Sequence, residues 1–361
     1  MFEIVEVEAP VKVIISGEHG VVHGAPGLAI ALEPCNKVVL SESEGEAGVE
    51  ITSDRGKVFV KSDGSVEGPD EEKKTFEPFV AVVDYLKQKK GLSFDKHLVA
   101  EIQSARAPKG VGNSASIAAA LALALFTLMG RKPVKGSSPE ENELWNAVQV
   151  ADAVAHGERP SGIDAMVVSY GNTELLRFVK DGQAKWRFTP KPGLTFPNNT
   201  ELLVVDTFKG RRSDTGAVVL SVARGIGITK RDSSGKEVVK HITELSDEDK
   251  AGLQPFWNAY EKIVKNLHAD GSARELGEGF NDNHVFLKKC GASTVDIEKV
   301  VEVSLGAGAL GAKLTGAGGI GGAVIVLVKS GKKDVVEKAI KNAGFSIFEA
   351  KAAGHGARIL K

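Results

Sequence analysis

The sequence predicts an α+β protein built as two domains. Apolar–polar alternation marks strand-like runs at residues 2–8, 11–16, 28–32, 37–43, 49–53 and 57–60 before the first helical stretch appears. A glycine-rich loop then opens a long apolar run. Beyond a Pro-, Gly- and Asn-rich stretch at 190–199, helices dominate, with a few strands among them. That stretch divides the chain into an expected N-terminal domain, 1–195, and a C-terminal domain, 196–361. A chain of 361 residues suits two domains, each with its own core.

Taken in order, residues 2–8 alternate apolar and acidic side chains, and Ala9-Pro10 is expected to end that strand. Residues 11–16 form a second extended run with one base, Lys12, among apolar neighbours. A polar loop follows, Gly17-Glu18-His19-Gly20-Val21-Val22-His23-Gly24. Residues 71–89 place Phe76, Phe79, Val80, Val83 and Leu86 on one helical face. After a strand at 97–103 comes Ala107-Pro108-Lys109-Gly110-Val111-Gly112-Asn113-Ser114-Ala115-Ser116, then the apolar run 117–129. Ser138-Pro139-Glu140-Glu141 reads as the start of a helix reaching about residue 155. That helix leads through Asp152 and His156 into a loop ending at Asp164. Strands are expected at 174–178, 185–188, 201–206, 323–328 and 345–351. Helices are expected at 215–224, 247–267, 273–290, 294–304 and 332–342. A second glycine loop spans 316–322.

The order strand, glycine loop, helix at 97–129 is a way to hold phosphate. Glycines let backbone N–H groups converge, and the first helical turn offers unpaired N–H groups at the positive end of the dipole. The P-loop NTPase pattern fails, because Asn113 follows Gly112 where Lys is required. The dinucleotide fingerprint fits as Gly110-x-Gly112-x-x-Ala115, but no second strand ending in an acid follows. A plain turn before a core helix is the remaining alternative. Gly316-x-Gly318-x-x-Gly321 is a weak dinucleotide motif, since a strand follows it; a loop that lets the backbone approach a ligand, or a loose hairpin, fits better.

Composition narrows the function classes. The formal net charge of −1 gives no broad electrostatic case for nucleic acid or an anionic membrane. Two cysteines, Cys35 and Cys290, supply neither a disulfide framework nor a metal cluster and suit a reducing, cytoplasmic setting. The N-terminus carries acids where a signal peptide has bases, and the run 115–129 is too short to span a bilayer.

The residues able to do chemistry form a set suited to phosphoryl transfer. Ser114 at the helix start offers a hydroxyl to phosphate and to Mg²⁺, and Asp152 offers a carboxylate. Asp164 enters an apolar run, 165–168, and Lys12 sits in one. A buried charge is costly unless paired, so a Lys12–Asp164 pair resolves both costs and sets a cation and a proton acceptor beside an alcohol oxygen. A purely structural ion pair is the competing reading, as are solvated loop roles for Glu18, His19 and His23.

Three separated segments resemble the GHMP kinases: residues 9–24, the phosphate loop Gly110-Val111-Gly112-Asn113-Ser114-Ala115-Ser116, and Lys313-Leu314-Thr315-Gly316-Ala317-Gly318-Gly319. A fourth, His156-Gly157 with Pro160-Ser161-Gly162-Ile163-Asp164, is similar to members that act on mevalonate. The resemblance implies a ribosomal S5-like N-terminal domain, a ferredoxin-like C-terminal domain, and a cleft site using ATP and Mg²⁺ to phosphorylate the primary hydroxyl of mevalonate. It implies Asp164 as the catalytic aspartate and Lys12 as its lysine neighbour. It gives Lys109, Gly110, Val111, Gly112, Asn113, Ser114, Ala115 and Ser116 to ATP, and Ser114 and Asp152 to the metal. Glu18, His19, Thr215, Gly316, Ala317 and Gly318 fall to the substrate side. The family is often dimeric. Four departures stand out: Val11 for Gly, Asn113 for Ser, Asp152 for the longer Glu, and Glu158-Arg159 where one residue is usual. The last keeps a phosphomevalonate or sugar acceptor open, with Arg159, Arg211 and Arg212 as extra bases. A non-catalytic binding protein on the same fold is the other alternative.

Overall fold

The computed structural model describes residues 4–108, 110–135, 141–156, 161–211, 213 and 215–361. The first part contains β1 (Ile4–Ser16), β2 (Gly27–Ser43), β3 (Gly48–Ser53), β4 (Gly56–Lys61), β5 (Val66–Glu67), α1 (Asp70–Lys90), β6 (His97–Gln103), α2 (Asn113–Leu128), α3 (Glu143–His156), α4 (Ile163–Tyr170), β7 (Thr173–Lys180) and β8 (Gln183–Pro190). The second contains β9 (Thr200–Asp206), α5 (Thr215–Ile226), β10 (Thr229–Arg231), β11 (Glu237–Val239), α6 (Asp247–Ala251), α7 (Gln254–Asn266), α8 (Ala273–Lys289), α9 (Val295–Gly306), β12 (Gly311–Thr315), β13 (Ala323–Lys329), α10 (Lys333–Asn342) and β14 (Ser346–Glu349). The last strands, β15 (Lys351–Ala352) and β16 (Arg358–Ile359), return to the first sheet.

That first sheet has ten strands, with the path β16-β1-β2-β6-β3-β4-β5, β7 and β15 joining β2, and β8 joining β7. The second is four-stranded, in the order β12-β13-β9-β14. A mixed α+β architecture of two sheets, each backed by helices, is therefore present. Helix α2 is apolar on all sides, with residues 115–126 buried, as a helix enclosed between a sheet and other helices must be. Its alanines let α1, α3 and α4 pack close.

Ala9-Pro10 does not end the first strand. β1 runs through it, and the register with β2 shifts between Ala9 and Val11 because β2 carries extra residues, 33–35, at that point. The shift matters for function. Before it, Val5, Val7 and Ala9 pack with the helices of the first domain. After it, Val11, Val13 and Ile15 pack with Leu202, Val204, Ala323 and Ile325 of the second sheet. Side chains alternate along a strand, so Lys12 and Ile14 then take the opposite face, where Ile14 meets Ile163 and Val167 of α4. The bend re-aims Lys12 toward the helix layer.

Other expectations shift in detail. The runs 28–32 and 37–43 are one strand, which continues through Glu33-Pro34. The helix expected over 247–267 breaks into α6 and α7 at Gly252, whose Cβ would lie 2.8 Å from the Ile226 carbonyl oxygen. The hairpin β10–β11 had no sequence signal strong enough to show. The proposed cap at Ser138-Pro139-Glu140 lies outside the described residues. Several contacts hold the C-terminal tail: Arg358 Nε and Nη2 donate to Glu8 Oε1 (2.7 and 2.6 Å), the Ala353 and Ala357 N–H groups donate to the Ala31 and Val168 carbonyls, and the Leu360 N–H donates to the Glu6 carbonyl. Among the described residues no helix is long and apolar enough to cross a membrane.

Candidate active site

The re-aimed Lys12 lies against the mouth of α2. Its N–H donates to the Val111 carbonyl at 2.8 Å, and its side chain crosses Gly112. Gly112 has φ +72°, and a Cβ there would stand 2.8 Å from Lys12 Cε and 2.9 Å from Cγ, so both conformation and space require glycine. The Lys12 ammonium reaches Asp164 Oδ1 at 2.8 Å, with the two side chains 2% and 18% exposed. The expected pair is therefore formed.

Asp164 is not a loop residue. It is the second residue of α4, which starts at Gly162 in a left-handed conformation (φ +81°) pinned by a Trp145 Nε1–H bond to the Gly162 carbonyl at 3.1 Å. An acid in the first turn is favoured by the dipole, and this placement fixes its direction more firmly than a loop could.

Asp152, on α3, is 1% exposed, and its Oδ1 has no hydrogen-bond partner. Burial, and then the Asp164 charge, hold its carboxyl well above the usual carboxylate range, while Lys12 pulls the other way. A buried, orphaned carboxylate oxygen beside a second carboxylate calls for a cation. These hard oxygen donors fit Mg²⁺. Ser114 is half-buried in the first turn of α2, which has no side-chain cap at its N-terminus. The N–H groups of that turn lack intrahelical partners by helix geometry.

Other phosphate-loop side chains are turned inward. The Ser116 hydroxyl is fully buried, donates to the Ala9 carbonyl (2.8 Å) and accepts from Asn36 Nδ2 (2.9 Å). Asn36 Nδ2 also donates to Asn113 Oδ1 (3.0 Å), and its own Oδ1 accepts from the Ala105 N–H (2.8 Å). Ser116 and Asn113 thus fasten the loop to β1 and β2, which leaves backbone N–H groups and Ser114 as the ligand-facing donors. Lys109 lies outside the described residues.

The second glycine loop closes the site from the other domain. Gly316 (φ +75°) lies against the phosphate loop, where a Cβ would come 2.9 Å from the Gly110 carbonyl oxygen. The Ser213 hydroxyl accepts from the Ile320 N–H at 2.7 Å, tying the basic loop to this one. The Ile14 N–H donates to Thr315 Oγ1 (2.9 Å), whose hydroxyl donates to the Ile14 carbonyl (3.0 Å). The His19 ring donates from Nε2 to the Ala317 carbonyl (3.0 Å), and burial pushes its pKa down to about 4, so the ring is neutral and Nδ1 is the free acceptor.

Glu18 was expected on the substrate side. Its side chain is instead fully buried and paired with Lys313 of β12, which is equally buried. Burial raises the Glu18 carboxyl and lowers the Lys313 ammonium, and their contact opposes both shifts. The side chains of His156 and Thr215, together with residues 157–160, 212 and 214, lie outside the described residues, and Arg211 is exposed. Lys313, Thr315 and Asn36 are the site residues that sequence reading did not assign.

His23 closes the loop after His19. It is 6% exposed, and burial, with the nearby Arg177 charge after it, pushes its pKa from 6.5 to about 4. Between those values the unfolded chain binds a proton that the folded one does not, so stability falls as pH drops through this window and is fully present above it. His23→Gln is therefore expected to lose less melting temperature than the wild-type chain between about pH 7 and pH 5, as read by thermal denaturation. Equal losses in both proteins would contradict the assignment.

The chain as a whole is similar to known proteins. The family description GHMP kinases C terminal matches residues 263–346. Mevalonate kinase of Aeropyrum pernix is 30% identical over 358 residues, covering 97% of each chain. Mevalonate kinase of Pyrococcus horikoshii is 29% identical, covering 99% of this chain and 98% of its own. In structure, L. major mevalonate kinase in complex with R-mevalonate superposes with a TM-score of 0.70 at 23% identity, covering 96% of this chain and 94% of that one. Lactococcus lactis galactokinase superposes at 0.71 with 18% identity, covering 99% and 95%; both show a shared fold. The full-length match at this identity, on a chain carrying all three glycine-rich segments in order, means that the chain belongs to the mevalonate kinase family of GHMP kinases.

Proposed function

We propose that this chain transfers the γ-phosphoryl group of ATP to the primary hydroxyl of mevalonate. The observation that carries the reading is the Lys12–Asp164 contact of 2.8 Å beside the uncapped N-terminus of α2. The first-turn N–H groups of α2 and the turn at Gly110 and Gly112 hold the phosphates. Asp164 orients the acceptor hydroxyl and takes its proton as the new O–P bond forms and the bond to the β-phosphate oxygen breaks, releasing ADP. Lys12 stabilises the negative charge that grows on the acceptor oxygen and on the transferred group. Mg²⁺, held by Asp152 and Ser114, would neutralise phosphate charge during transfer.

His19 and the backbone at Gly316, Ala317 and Gly318 form the acceptor side. The same reading divides the chain at 195/196, with the tail strands β15 and β16 returning to the first domain's sheet.

A coupled ADP-release assay with Mg²⁺ tests this directly. Turnover is expected with mevalonate and not with phosphomevalonate, galactose or homoserine. Turnover confined to one of the other acceptors overturns the substrate. ADP release with none of them, from folded protein that binds ATP, overturns the enzyme.

A further inference from the structure

We propose that Cys35, His355, Glu8 and Glu33 form a structural site for a zinc-class divalent cation, outside the catalytic set. The proposal does not depend on the kinase reading above.

Three separate segments supply the ligands. Glu8 comes from β1, Glu33 and Cys35 from the extra residues that β2 carries opposite Ala9, and His355 from the tail between β15 and β16. A ligand atom from each of Glu8, Cys35 and His355 lies within 4.8 Å of the other two. His355 Nε2 is 3.9 Å from Glu8 Oε1 and 3.6 Å from Glu33 Oε1. Around a tetrahedral zinc ion, neighbouring ligand atoms stand about 3.3–3.6 Å apart, so adjustments on the order of 1 Å bring this group onto one ion. A lone cysteine carries no metal signal in the sequence, because Glu8 and His355 lie near opposite ends of the chain.

The His355 ring carries the strongest sign. Its Nδ1 lies 2.8 Å from the Gly356 carbonyl, which only accepts, so the proton sits on Nδ1 and Nε2 presents a lone pair. Nε2 is buried and has no hydrogen-bond partner. It faces two carboxylates at distances too long for a hydrogen bond, so a protonated ring would not satisfy it either. A lone pair turned toward two anions needs a cation between them. A carbonyl bond on the other ring nitrogen is also the usual way a ligating imidazole is oriented. The backbone here is fixed in place. The Ala357 N–H donates to the Val168 carbonyl at 2.8 Å, and a Cβ at Gly356 would lie 2.3 Å from the Tyr170 nitrogen, so the tail is seated directly on the end of α4.

Cys35 decides the class of ion. Burial, then the Glu8 and Glu33 charges, push its thiol up to about 12, with Arg358 and Lys37 pulling the other way. Without an ion the thiol keeps its proton, yet the same two carboxylates that resist a thiolate attract a dication. On binding, the S–H bond breaks, the sulfur–metal bond forms, and the proton leaves to solvent. Thiolate and imidazole donors select Zn²⁺ and its neighbours over Mg²⁺ or Ca²⁺. Glu8 Oε1 already accepts from Arg358, which orients the carboxylate and leaves it further lone pairs for an ion. With the thiolate formed, Glu8, Glu33 and Cys35 face the dication and the Arg358 guanidinium, and the charges balance. Glu33 is exposed and supplies the way in from solvent. Asn36 follows Cys35 and Ala9 follows Glu8, and these two hold the Ser116 hydroxyl. An ion here ties the tail to the strands that anchor the phosphate loop.

Co²⁺ is the probe, because a thiolate on tetrahedral Co²⁺ gives a near-ultraviolet charge-transfer band that oxygen-only sites lack. The reduced full-length chain is titrated with Co²⁺ in excess Mg²⁺, which occupies hard oxygen sites. A single equivalent is expected to bind with that band and to be displaced by Zn²⁺. Cys290→Ser, which removes the only other thiol, is expected to keep the band, and Cys35→Ser to abolish it. His355→Gln is expected to lower Zn²⁺ affinity by about a hundredfold, read by competition with a chromophoric chelator. Zn²⁺ is expected to raise the melting temperature of the wild-type chain and not that of Cys35→Ser. Absence of the band in the wild-type chain overturns the proposal, as does a band that survives Cys35→Ser. Should Cys35→Ser not accumulate, His355→Gln carries the test alone, and Zn²⁺ affinity equal to wild type in that variant overturns the site.

Discussion

Asp164→Asn is expected to lower turnover of mevalonate by about a thousandfold, the scale that follows when a positioned proton acceptor is removed. The change keeps shape and removes charge. An amide oxygen accepts a hydrogen bond from Lys12 but takes no proton from the acceptor hydroxyl. ATP binding is expected to be retained, for an independent reason. Asp164 is one cause of the raised Asp152 carboxyl, so neutralising it lets Asp152 ionise more readily. The phosphate loop and the metal ligands thus keep their function while the acceptor side loses its base. Steady-state kinetics with a direct nucleotide-binding measurement distinguish the two. Near-normal kcat, or loss of ATP binding equal to the loss of kcat, would sink the assignment. The melting temperature is expected to fall modestly, because Lys12 remains 2% exposed with a weakened partner, although the 18% exposure of Asp164 softens the penalty.

Much of this site was legible in the sequence because a buried charge leaves a local mark. Lys12 and Asp164 each interrupt an apolar run, and each cost points to a partner of opposite sign. Lys313 carries the same mark, between Ala312 and Leu314, yet its partner lies 295 residues away in a loop rich in other polar groups. Local pattern says that a charge is buried; it does not say which of several acids meets it. Glu18 was given to the substrate side by the resemblance alone, and nothing local distinguishes a carboxylate facing a cleft from one spent on a lysine of another domain. Asn36 is a further case. A lone amide after Pro34-Cys35 has no periodic signature, and its task, fastening Asn113 and Ser116, exists only once β2 and α2 are side by side. The fold followed similar lines. Strand and helix identities came from alternation and helical spacing, whereas the return of β15 and β16 to the first sheet is an edge addition that chain order conceals.

Gly112→Ala is the second large effect, and it separates backbone strain from loss of the site. An alanine at φ +72° carries a strain of about 1 kcal/mol, and its methyl would lie under 3 Å from two carbons of Lys12. That lysine is confined: its ammonium is on Asp164, and the chain around it is buried. The methyl is accommodated only by displacing Lys12 or by opening the phosphate loop at Val111, which the Lys12 N–H holds at 2.8 Å. Either movement degrades the alignment of phosphate and acceptor, so kcat is expected to fall about a hundredfold, because small misplacements of reacting groups are that costly. Gly130 supplies the control. It has φ +65° and open space around its would-be Cβ, so Gly130→Ala carries a similar backbone strain at the far end of the same helix. Gly112→Ala is expected to lose more melting temperature than Gly130→Ala, because the clash with Lys12 adds to the shared backbone strain, and only Gly112→Ala loses activity. If Gly130→Ala is equally slow, the loss at 112 reflects weakening of α2 and not the crowding of Lys12.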